Sequence, residues 1–78
     1  MSCFFKETLG RLIRDIRRSQ KLSQNELAEK RELHVNTIRL LELRSAEAKL
    51  TTLFFLSKGL NMELGELMSL FVQKLANN

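Results

Sequence analysis

Apolar residues in this chain recur every three or four positions, and nowhere do they alternate with polar ones long enough to argue a strand. Phe5, Leu9, Leu12, Ile13 and Ile16 fall on one face of a helix expected over roughly residues 5–19. A second helix, about 24–31, offers only Leu27 and Ala28 as a small apolar face. A third, about 35–43, carries Ile38 and Leu41 three residues apart. Residues 44–50 are polar and read as a connection. Thr51 or Thr52 then caps a fourth helix that turns Leu53, Leu56 and Leu60 inward, with Phe54 or Phe55 on its flank. Asn61 suits a left-handed position after that helix, where asparagine is the usual substitute for glycine. A fifth helix begins near Glu63, with Glu63 and Glu66 in a first turn whose dipole favours negative charge. Proline, internal repeats and linkers are all missing from the sequence. The expectation is one all-α domain over 1–78, a compact bundle of five helices.

The stretch from Leu22 to Glu42 is the most specific part of the pattern. Ser23 and Glu26 have the spacing of a capping box, in which a hydroxyl and a carboxylate each satisfy a backbone N–H at a helix start. Ala28 is small enough to let two helices approach closely. One unbroken helix over these residues would turn Leu33 away from Leu27, Ile38 and Leu41, so a bend near Glu32 is expected. Two short helices across a tight break form a helix-turn-helix, whose second member can enter a DNA major groove. With Ile38 and Leu41 inward, that member turns Asn36, Arg39, Leu40 and Leu43 outward. Asparagine pairs bidentately with adenine, arginine with guanine, and aliphatic groups pack on a thymine methyl.

Charge sharpens the picture. Residues 1–21 hold six basic and two acidic side chains, a surplus equal to the +4 of the whole chain. Such a concentration suits a polyanion, because each neutralised phosphate releases condensed counterions. It reads equally as a solvated helix face. Lys21, at the end of the basic segment, is a candidate phosphate contact.

Assembly is suggested by the fifth helix. Leu64, Leu67, Met68, Phe71, Val72 and Leu75 recur over three turns, with Leu70 and Met62 beside them. That is more apolar surface than a small four-helix core can obviously bury, so a homodimer interface through Leu64, Met68, Leu70, Phe71 and Leu75 is expected. A larger monomeric core is the alternative.

These residues carry a resemblance. From Leu9 to Met68, through LGRLIRDIRR, LSQNELAEK, NTIRLLE and LFFLSKGLNMELGELM, the chain resembles the lambda-repressor-like helix-turn-helix family of phage repressors and Cro proteins. Within it, the sequence is most similar to the small controller proteins of restriction–modification systems. The resemblance implies a sequence-specific DNA-binding transcriptional regulator that grips a partly palindromic operator as a homodimer through the major groove. It further implies that Gln24 touches a phosphate and braces the recognition helix, and that Arg17 and Glu42 pair to join the first helix to the third. Val35, Asn36, Arg39 and Leu40 fall where that family faces bases. Thr37 and Arg44 fall where it meets phosphates. Glu32 stands where the family turn usually has glycine, and His34 where a small capping hydroxyl is common, so the third helix is expected to start imperfectly.

Other classes find little support. His34 is the sole histidine, and Cys3, the sole cysteine, lies in an expected loose terminus with no histidine near it in sequence. Neither a catalytic set nor a metal site nor a cofactor loop is expected, and no small-molecule ligand. An intrachain disulfide is impossible, which suits a reducing cytoplasm. No apolar run approaches the roughly 20 residues a membrane span requires, and the first residues do not read as a signal peptide. The competing function is an antitoxin-like or anti-regulator module that applies the same fold, through Leu40 and Leu43, to a protein partner.

Overall fold

A computed structural model describes residues 2–30, 33–43 and 48–77, with side chains from Phe5 onward. Among them the chain forms α1 (Ser2–Ser19), α2 (Gln24–Lys30), α3 (Val35–Glu42), α4 (Leu50–Gly59) and α5 (Leu64–Ala76), and no strand. Each helix gives its apolar stripe to one core. Leu9 and Ile13 come from α1, Leu27 and Ala28 from α2, Ile38 and Leu41 from α3, and Leu53 and Leu56 from α4, with Leu60 just beyond it. α1 packs on α3 and α5, α2 on α3 and α4, and α4 on α5.

One crossing is unusually tight. Gly10 lies against the backbone of α3, so a Cβ there would overlap the Leu41 carbonyl oxygen and stand 3.4 Å from Glu42 Cα. A mid-helix glycine sacrifices about 1 kcal/mol of helix propensity relative to alanine. Here it lets two backbones touch.

Two helices end in the same left-handed device. At the end of α1, Lys21 has φ 60°, the Leu22 N–H donates to the Arg17 carbonyl (3.1 Å) and the Lys21 N–H to that of Arg18 (2.9 Å). At the end of α4, Asn61 has φ 58°, with Met62 N–H on the Ser57 carbonyl (2.8 Å) and Asn61 N–H on that of Lys58 (3.1 Å). Both are Schellman closures, which satisfy carbonyls a helix end would otherwise leave bare. The Gln20 side-chain amide donates to the Leu60 carbonyl at 2.6 Å and ties the two ends together.

Several boundaries differ from the sequence expectation. α1 begins three residues early, so residue 3 is helical and not part of a loose terminus. Phe5 is 51% exposed, touching Phe71 edge-on at 6.5 Å instead of entering the core. α4 begins at Leu50 with Lys49 as its N-cap and no side-chain cap bond. Neither threonine caps it, because the first helical bond already runs from Leu53 N–H to the Lys49 carbonyl and places Thr51 and Thr52 inside the first turn. Glu63 is itself the N-cap of α5 and forms a reciprocal box with Glu66, whose carboxylate accepts the Glu63 N–H at 3.0 Å. The apolar stripe of α5 is divided. Leu67 is fully buried, and Leu64, Met68 and Phe71 pack against the protein's own core. Leu70 and Leu75 are half-buried and Val72 is exposed.

Candidate nucleic-acid interface

The expected pair of short helices is α2 and α3. The Ser23 hydroxyl accepts the Glu26 N–H at 3.0 Å, and the Glu26 carboxylate accepts the Ser23 N–H at 2.8 Å. That backbone N–H, and then the hydroxyl, hold the Glu26 carboxyl below the usual carboxylate range. α2 is described as far as Lys30, and the Leu33 N–H reaches back to the Ala28 carbonyl at 2.9 Å, a wider closure than the helical bond. Glu32, the expected site of the bend, lies outside the described residues. α3 then starts from His34 in extended conformation (φ −76°, ψ 132°) with no side-chain cap bond.

What fixes α3 is a buried polar cluster at its far end. Arg17 Nε donates to Glu42 Oε2 at 2.7 Å and Nη2 to Oε1 at 2.8 Å, a bidentate pair between residues 7% and 6% exposed. The remaining guanidinium nitrogen, Nη1, donates to the Leu22 carbonyl at 2.7 Å. Gln24, the first residue of α2, adds its side-chain amide to Glu42 Oε1 at 3.0 Å. One carboxylate at the last residue of α3 therefore gathers the end of α1 and the start of α2. Hydrogen bonding to Glu42 raises the Arg17 pKa further above its ordinary value, so the cation is permanent.

The opposite side of α3 faces water. Asn36, Arg39 and Leu40 are exposed, as is Leu43 immediately after the helix. Arg39 Nη1 lies 3.4 Å from Asn36 Oδ1, so the two polar groups sit together one turn apart. Thr37 is half-buried at the edge of this face. Val35 stands at the other edge. As the first residue of α3 it packs half-buried against the core beside Leu33. Arg44 lies outside the described residues.

The basic surplus is partly consumed by structure. Arg17 is buried in its ion pair, and Arg11 stands 3.7 Å from Glu7. Arg18 and Lys21 remain exposed where α1 turns into α2. Sequence counting missed this, because it cannot tell a structural cation from a solvated one. Among the described residues no three potential metal ligands gather, and no helix is long and apolar enough to cross a membrane.

The helix-turn-helix family model matches residues 13–67. Among solved structures, the wild-type restriction–modification controller protein C.Esp1396I aligns with a TM-score of 0.87 at 21% identity, over 96% of this chain and 97% of that one. The tetramer of the same protein in complex with its natural 35 base-pair operator gives 0.86 at 22% identity, over 94% and 96%. The clp gene regulator ClgR from Corynebacterium glutamicum gives 0.81 at 21%, over 92% of this chain and 77% of that one. At such identities the likeness is one of fold. No curated protein matches the sequence. Because the matched span takes in both short helices and the core that supports them, this chain belongs to the helix-turn-helix family.

Proposed function

We propose that the protein is a sequence-specific DNA-binding transcriptional regulator of the controller type, a single domain that binds a partly palindromic operator as a homodimer in the cytoplasm. The observation that carries the reading is the two-sidedness of α3. Its inner face and last residue are locked by Ile38, Leu41 and the Arg17–Glu42–Gln24 cluster, while Asn36 and Arg39 stand outward with base-pairing chemistry. α3 would lie in the major groove, with Asn36 and Arg39 on base edges and Val35 and Leu40 beside them. Lys21, Gln24, Thr37 and Arg44 would meet phosphates, and no catalytic role is assigned. The C.Esp1396I complex with its operator, on the same fold, supports a duplex partner and self-association. Two copies would pair along α5, with Leu64, Met68, Leu70, Phe71 and Leu75 contributing. Their recognition helices would then stand about 34–36 Å apart, one turn of DNA. The protomer measures 31 × 23 × 22 Å, a size that suits such spacing.

Selection from a random duplex pool, followed by anisotropy titration at several salt concentrations, tests this. The expected product is an inverted repeat with half-sites one helical turn apart. Arg39→Ala should lose about 1–3 kcal/mol on the selected site and relax preference at one position. A protein-interaction module is the second reading, favoured by the exposed Leu40 and Leu43. Failure to bind any duplex in a salt-sensitive way would leave only that one.

Lys21 offers a sharper contrast. A lysine held at φ 60° is strained by about 1 kcal/mol relative to glycine. Lys21→Gly is therefore expected to raise the urea midpoint. It should also weaken binding to all duplexes alike and reduce the salt slope by about 1. A variant that gains stability with an unchanged slope would remove Lys21 from the interface.

A further inference from the structure

Leu40 and Leu43 are 37% and 63% exposed on the same outward face as Asn36 and Arg39. Leu43 is held to the helical path by its N–H, which donates to the Arg39 carbonyl at 2.9 Å. Four residues of helix advance about 6 Å, less than two of the roughly 3.4 Å steps between stacked bases. Leu40 lies four residues from Asn36 and Leu43 four from Arg39, so each polar reader has an aliphatic neighbour on its own row. In the major groove the apolar feature of a base edge is the pyrimidine 5-methyl group, as on thymine. A 5-methylcytosine carries the same group at the same ring position.

We propose that Leu40 and Leu43 read 5-methyl groups of pyrimidines adjoining the bases contacted by Asn36 and Arg39. The inference rests on the DNA-binding reading above and deepens it from a duplex to a methyl-bearing half-site. It needs no new polar contact. A methyl that would stand in water in the free duplex is covered by a leucine side chain, which favours the methylated base about fourfold at each position. Two symmetric half-sites multiply that to about 15-fold for the homodimer.

The test uses the full-length protein and its selected operator in an anisotropy titration at fixed salt. Each thymine is replaced in turn by deoxyuridine, in both half-sites together. One or two positions should lose about 15-fold in affinity, and the others nothing. At a responsive position, 5-methylcytosine should bind more tightly than cytosine by a similar factor, which separates the methyl from the rest of the thymine edge. Leu40→Asn and Leu43→Asn, both at exposed positions, should keep their circular dichroism spectrum. One of them should lose the discrimination at each responsive position. Equal affinity for thymine and deoxyuridine operators at every position would overturn the proposal while leaving DNA binding intact. Discrimination that survives both asparagine variants would overturn it too. No binding to any duplex would instead overturn the functional reading on which the proposal rests.

Discussion

Arg17→Met is expected to lower the unfolding free energy by about 3–5 kcal/mol, a large share of what a small domain possesses. The substitution leaves the Glu42 carboxylate buried, with only the Gln24 amide, among the described residues, still donating to it. An uncompensated buried charge is far more costly than the pair was favourable, because the pair itself roughly breaks even against its own desolvation. The double variant Arg17→Met, Glu42→Leu should consequently recover most of the loss, since it removes both charges and keeps much of the volume. Urea denaturation of the two variants decides the matter. A single-variant loss below about 1 kcal/mol would mean that Glu42 finds water by relaxation. If the double variant proved as unstable as the single one, the cluster would matter for its shape more than its charge. Operator affinity should fall in both, because the end of α3 loses its tie to α1, and in the double variant Gln24 loses its anchor as well.

Gly10→Ala is expected to be the second most damaging single change outside the core side chains. Alanine improves helix propensity by about 1 kcal/mol, but its methyl would overlap the Leu41 carbonyl oxygen, a backbone atom that cannot swing aside. Overpacking of this kind costs about 3 kcal/mol, so the net loss is about 2 kcal/mol. The helices must part to accept the methyl, and α3 is the one that presents Asn36 and Arg39. Operator affinity should therefore drop beyond what instability alone explains, measured at a temperature where the variant is fully folded. Gly65→Ala supplies the opposite control. A Cβ on Gly65 meets nothing within 4 Å, so that variant should gain up to about 1 kcal/mol. Equal effects of the two substitutions would mean that the α1–α3 contact is looser than its geometry.

The fold was legible wherever a signal is local and periodic. The Ser23–Glu26 box, the inward Leu27, Ile38 and Leu41, and the left-handed Asn61 follow from spacing and residue type, and each has its expected geometry. What escaped depends on tertiary context. Lys21 takes the same conformation as Asn61, yet nothing about lysine advertises it. Gly10 looks like an idle glycine until α3 lies against it. Phe5 has the spacing of a core residue but sits beyond the end of the packed surface, and the start of α4 carries no capping side chain to mark it. For the site, helical periodicity alone turned Asn36, Arg39, Leu40 and Leu43 outward. The Arg17–Glu42 pair needed the family resemblance, because charges 25 residues apart have no local pattern to join them.

The clamp on Glu42 is made by the chain's own Arg17 and Gln24, and on the DNA-binding reading that decides who must adapt on encounter. A reading helix already bolted to its scaffold surrenders little conformational freedom on docking, so affinity is not drained by ordering it. Nor can it re-aim to forgive a poor site. Accommodation then falls to the double helix, and base pairs that no side chain touches would be selected for how readily they bend toward a stiff protein surface.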